Sequence, residues 1–179
     1  SIYFYGDLHG SCDIVASYEG ITATRSIPLA PLRAVVQTLS IEGVEAVSEQ
    51  ARTFYRALAT YSDGTKEYVQ PEWSADWAGS SDSDYQLVKF APAVYTGYEV
   101  VSLVTGTEPT TFELFQSLAI SRMDMFEGIT SIQQLKDLQL TGAIMTTRKV
   151  DANTYVAVTA RYYRVSTKID VLVTDKVLA

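Results

Sequence analysis

The chain has 179 residues, 47% of them apolar and 20% charged, which is enough for one large domain with its own core and too apolar for a disordered tail. A net charge of −7 gives a surface that repels phosphate backbones, which weighs against nucleic acid as a partner. No apolar run is long enough to cross a bilayer, and no basic, apolar, small-residue leader opens the sequence, which begins at Ser1 as a processed exported chain or a fragment would.

The first stretch, SIYFYGDLHGSC, runs from strand-forming letters into Gly-Asp-x-His-Gly. Asp7 and His9, two apart, resemble the first metal-binding signature of the metallophosphoesterases, which would imply a dinuclear centre and phosphoester hydrolysis. Such a centre draws several carboxylate, Asn and His ligands from separate loops. This chain holds one His and lacks both the GD-x-x-D-R-G and the G-N-H-E loops of that family, so the ligand set is incomplete and a metallophosphoesterase fragment is kept only as a remote alternative. Cys12, the single cysteine, cannot form an internal disulfide. It reads as a small buried hydrophobe, with an intermolecular bridge as the sharper alternative.

An internal repeat gives GDLHG a plainer meaning. The segment GDLHGSCDIVASYEGITATRSIPL, from Gly6, aligns without a gap on VDANTYVAVTARYYRVSTKIDVLV, from Val150, an offset of 144 positions. Each copy reads as a β-hairpin with one apolar face, Cys12, Ile14, Ala16 and Tyr18 in the first and Val156, Val158, Ala160 and Tyr162 in the second. GDLHG then corresponds to VDANT, a polar turn leading into the first strand, with His9 opposite Asn153.

Further along, TYSDGT places Asp-Gly at the tip of another hairpin, between a strand carrying Tyr55, Ala57, Ala59 and Tyr61 and a strand from Lys66 to Val69. The polar stretch WSADWAGSSDSDYQ reads as an exposed loop. Its Asp76, Asp82 and Asp84 match no EF-hand spacing, so calcium is a minority reading and solvated carboxylates the simpler one. Two β-rich runs follow, YQLVKF and VYTGYEVVSLV, separated by Ala91-Pro92. Then TEPTTFELFQSLAISRMDMFEG predicts a helix. Thr110 and Glu113 have capping-box spacing, Phe112, Phe115, Ala119, Met123 and Phe126 share a face, and Gly128 ends it. SIQQLKDL predicts a second, shorter helix.

The strand, the TYSDGT turn, Trp73 about ten residues on, and the closing V-T-A-R-Y hairpin resemble the bacterial immunoglobulin-like domains of group 2. The resemblance covers about Val35 to Trp73 and Leu138 to Val173, and recurs in truncated form over Ile2 to Leu29. It implies a mainly β fold, an immunoglobulin-like β-sandwich with a mixed α/β insertion containing one helix, with Trp73 plugging the core. Residues 1–30 would be the C-terminal hairpin of an incomplete domain, or assembly strands, and 31–179 a domain interrupted at about 76–137. Members of that family provide spacing, stiffness or adhesion at cell surfaces and carry no catalytic residues or cofactor.

A lone hairpin exposes an apolar face and unpaired edges. Its partner strands could come from upstream residues, from the inserted strands at Tyr85 to Val104, or from a neighbouring copy. The expectation is therefore an extracellular or cell-surface, non-enzymatic module of a filament or array, partnered by copies of itself or neighbouring immunoglobulin-like domains. Its assembly face would comprise Ile2, Phe4, Cys12, Ile14, Ala16, Tyr18, Ile27 and Leu29. The alternative is an adhesin-type module that recognises a glycan or protein through Trp77, Tyr95 and Tyr98 of the insertion.

Overall fold

A computed structural model describes residues 10–29, 34–76 and 88–176. Among them the chain is mainly β. Strands β1 (Gly10–Tyr18) and β2 (Ile21–Leu29) form a separate two-stranded sheet. They are followed by β3 (Val36–Glu42), β4 (Ala46–Ser48), β5 (Arg52–Tyr61), β6 (Lys66–Val69), β7 (Glu72–Asp76), β8 (Val88–Thr96), β9 (Gln139–Thr147), β10 (Thr154–Tyr162) and β11 (Val165–Thr174). One sheet runs β4-β11-β10-β7, with only the β4–β11 pair parallel. A second runs β3-β5-β9-β8, with β6 also paired to β5. Val156, Val158, Val171 and Val173 of the first sheet pack against Tyr55, Val88 and Met145 of the second. Leu39, Ala57, Ala59, Val69 and Ala160 continue the layer toward the other end.

The β5–β6 hairpin follows from its turn chemistry. Asp63 Oδ1 accepts hydrogen bonds from the Thr65 amide at 2.9 Å and from Thr65 Oγ1 at 2.6 Å, and Gly64 takes the left-handed φ of 83° that the tip requires. Those two bonds, the hydroxyl's first, hold the Asp63 carboxyl below its usual range.

Strand β5 is buried on both faces, and its alternation divides two cores. Tyr55 turns into the layer between the sheets, while Phe54 turns the other way onto the helices. The Tyr55 phenol donates to the Val44 carbonyl at 2.6 Å, and burial pushes it well above the usual phenol range. Trp73 is half-buried beside it, stacked on Phe90 with ring centroids 5.9 Å apart.

On the same face as Phe54, Arg56 pairs with Glu42 at 2.8 Å and lies 3.9 Å over the Tyr68 ring, whose hydroxyl also donates to Glu42. The Arg56 side chain is only 9% exposed, so Glu42→Ala strands a desolvated cation. The expected loss is about 2 kcal/mol, under the ~3–5 of a fully buried pair because Glu42 still reaches water. Urea denaturation reads it, and an unchanged midpoint would show that the pair contributes nothing.

The segment between β8 and β9 holds one α-helix more than the two that the sequence predicts there, since three lie in it, α1 (Gly97–Thr105), α2 (Phe112–Ala119) and α3 (Ile132–Asp137). The two predicted β-runs are one strand and one helix. Strand β8 passes straight through Ala91-Pro92, which the sheet tolerates because β8 is an edge strand. The chain then turns helical at Thr96, where a complete capping box with Glu99 overrides the β-preference of the valines that follow. Glu99 accepts from the Thr96 amide at 2.8 Å, a bond that draws its carboxyl below the usual range.

Helix α2 is capped by Thr111, one residue after the predicted Thr110, and beyond Ala119 it tightens into a 3₁₀ segment, Ile120–Phe126. That change of pitch shifts the buried stripe, so Met125 is inside and Met123, predicted for the core, is 39% exposed. Helix α3 lies where SIQQLKDL predicts it, capped by Ser131. No helix among the described residues is long and apolar enough to cross a membrane. In the predicted acidic loop, residues 73–76 belong to β7, and 77–87 lie outside the described residues.

Candidate assembly interface

The β1–β2 hairpin is built by local rules. Its two-residue turn, Glu19-Gly20, has φ of 48° and 80°, the positive pair that matches the twist of antiparallel strands. Cys12 pairs with Ile27, Ile14 with Arg25, Ala16 with Ala23 and Tyr18 with Ile21. At the other end of the chain Val156 pairs with Val171, Val158 with Ile169, Ala160 with Thr167 and Tyr162 with Val165. Every pair repeats at the same offset, so the internal repeat is a repeat of register as well as of letters.

Cross-strand partners share a face. One face of the hairpin therefore gathers Cys12, Ile14, Ala16, Tyr18, Ala23 and Ile27, with Arg25 standing where the second hairpin has Ile169. The opposite face carries Ser11, Asp13, Ser17, Thr22, Thr24 and Ser26, with Val15 as its one large apolar residue; the Ser26 hydroxyl donates to Asp13.

The two hairpins differ in what covers them. Val156, Val158, Ala160 and Val171 are each 0% exposed. At the matching places Cys12 and Ile14 are half-buried, Ala16 is exposed and Ile27 is 36% exposed, while at the tip Tyr18 and Ile21 are 76% and 77% exposed. Strand β10 is flanked by β7, from Ala157 opposite Asp76 to Arg161 opposite Glu72, and β11 by β4 over Leu172 to Thr174. Among the described residues β1 and β2 pair only with each other. Among the described residues of the insertion, the one strand, β8, pairs with β9 and not with β1 or β2.

Of the predicted assembly residues, Cys12, Ile14, Ala16, Tyr18 and Ile27 thus share one face, and Leu29 ends the ladder opposite Gly10. Ile2 and Phe4 lie outside the described residues, as do Asp7 and His9 of the phosphoesterase reading and Trp77 of the ligand reading. Tyr95 and Tyr98, proposed as ligand contacts, are engaged within the fold. The Tyr95 hydroxyl donates to the Ala91 carbonyl at 2.7 Å, and its ring meets Phe54 edge-on at 6.2 Å. The Tyr98 hydroxyl donates to Glu108 at 3.2 Å under the Lys136 ammonium, 5.0 Å from its ring. Both phenols are raised, mainly by desolvation and, for Tyr98, next by its bond to Glu108. Asp76 is exposed at the end of β7, Asp82 and Asp84 lie outside the described residues, and among the described residues no three His, Cys, Asp or Glu side chains gather as metal ligands.

Sequence reasoning passed over Arg122, a lone cation within the 3₁₀ segment, which lines a cleft among the helices. Its only signal in the sequence is a basic residue in the half-apolar stretch AISRMDMF, with Asp124 two places on. No protein-family model and no curated protein sequence matches the chain.

Proposed function

We propose that the chain is a non-enzymatic structural module of an extracellular surface, an immunoglobulin-like sandwich that joins its neighbours through the β1–β2 hairpin in a filament or array. One observation carries the reading: a hairpin with the register of the buried β10–β11 pair, and with an apolar face at the same positions, whose matching face is only partly covered. Burial of such a face is the main source of free energy for association, and strand pairing along the open edges sets its direction. The neighbour is a second copy that supplies strands in the roles β7 and β4 play beside β10 and β11. Contacts of this head-to-tail kind propagate when they do not close into a ring. The reading assigns no catalytic residue and no cofactor.

Sedimentation velocity of the full chain tests it. The unaltered protein should form higher species as its concentration rises, and the double variant Ile14→Lys/Ile27→Lys should stay monomeric with the melting temperature of the parent, since both side chains lie away from the main cores. In the assembled protein the Cys12 thiol, in the position of fully buried Val156, should resist alkylation, whereas a cysteine placed at Val15 on the other face should react. A parent chain that stays monomeric at every concentration, or association indifferent to the lysines, sinks the proposal.

A further inference from the structure

The insertion contains a feature that assembly through the hairpin leaves unused. Between α1, α2, the 3₁₀ segment and β5 lies a cleft of about 220 Å³. Phe54, Val101 and Phe126 form its buried floor, and Val104, Leu118 and Arg122, each half-buried, form its rim. Arg122 is the only charged side chain among the lining residues.

Arg122 reaches this position because it interrupts the 3₁₀ run, with φ −137° and ψ 23°. The next two residues, Met123 and Asp124, are exposed, while the Arg122 side chain turns back to donate from Nη2 to Thr53 Oγ1 at 2.8 Å. That bond uses one of the five N–H donors of the guanidinium. Among the described residues Arg122 makes no ion pair, and Asp124 is the one carboxylate whose charge reaches it. A fixed, partly desolvated guanidinium beside an apolar recess presents a planar fork suited to a carboxylate, and in such surroundings the pairing is stronger than in open water.

We propose that this cleft binds a small monocarboxylate with an apolar tail, the carboxylate on Arg122 and the tail against Phe54, Val101 and Phe126. The charge count favours a single carboxylate, because one cation with no second basic group in the lining cannot neutralise a dianion. The volume lies below the ~300 Å³ at which drug-sized pockets begin, which limits the tail to that of a medium-chain or phenyl-substituted acid. With so few atoms in contact, the dissociation constant should be on the order of 0.1–1 mM. The site is independent of the hairpin, so it stands or falls separately from the assembly role.

The test is titration of the full chain with sodium octanoate, followed by amide chemical shifts in two-dimensional NMR. Octanoate should shift the resonances of α1 and the 3₁₀ segment saturably, while 1-octanol, which carries the same tail without the charge, should bind at least about tenfold more weakly, the loss of one charged hydrogen-bonded pairing. Arg122→Gln should bring octanoate down to the level of octanol. Val104→Phe, which fills the rim and keeps the cation, should weaken both. Equal binding of octanoate and octanol, or no saturable shift by either, overturns the proposal. Should Arg122→Gln fail to fold, the octanoate and octanol comparison on the unaltered chain still decides it.

Discussion

Gly142→Ala should destabilise the protein by about 3 kcal/mol or more, the cost of forcing a backbone apart inside a packed layer. Gly142 lies in β9, where a Cβ would fall 2.2 Å from the carbonyl oxygen of Tyr55 and 2.7 Å from the ring of Phe54. Neither neighbour can give way. The Tyr55 backbone belongs to the central strand, paired to Ala143 on the adjoining residue of β9, and the Phe54 ring is 1% exposed. The Gly142 carbonyl is also tied to Gln70 Nε2 at 2.9 Å, which holds the junction where β6 and β9 both meet β5. At roughly 2–4 °C per kcal/mol for a chain of this size, the melting temperature should fall by about 6–12 °C. Calorimetry reads this, and a variant that melts within about 2 °C of the parent would mean that β5 and β9 are not this close. Gly20→Ala serves as the contrast, since nothing lies within 4 Å of its added methyl and only the positive φ of the turn is penalised. Its cost should stay near 1 kcal/mol.

Phe115→Ala should open the helical part of the molecule while leaving the layer between the sheets closed. Phe115 is fully buried at the centre of the second core, 5.5 Å edge-on to Phe126 and 5.8 Å from Phe112. Removing such a ring leaves a cavity among side chains that cannot all collapse, at a cost of about 3–5 kcal/mol. The valines of β10 and β11 pack in a different cluster, separated from this one by the β5 strand, so they lose none of their contacts. Hydrogen exchange should therefore quicken in α1, α2 and α3 while β10 and β11 stay protected. Uniform acceleration across both regions would show instead that the Phe54–Tyr55 wall makes one cooperative unit of the two cores.

What could be read from the letters alone was local. Alternation of apolar and polar residues has a period that a strand converts directly into two faces, so the faces of the two end hairpins, and their shared register, follow from the sequence around each turn. The Asp63-Gly64 tip and the Ser131 cap follow in the same way, because the groups that satisfy the backbone sit within a few residues of it. The run VYTGYEVVSLV was misread because its valines favour strands, whereas Thr96, Glu99 and the packing of Gly97 against Leu135 decide for a helix; a Cβ on Gly97 would lie 2.8 Å from that leucine's side chain. Met125 exchanged places with Met123 because the helix tightened, which its own letters do not announce.

The division of the apolar residues into two cores on either side of β5, and the cleft that Arg122 enters, depend on segments 69 positions apart meeting in space, from Thr53 to Arg122. The sequence by itself determined that the β1–β2 hairpin has a face to bury. Only the tertiary structure decided that, among the described residues, β1 and β2 pair with no other strand of the chain, because hydrophobic attraction is non-directional and becomes a partnership only when a complementary surface is positioned to meet it.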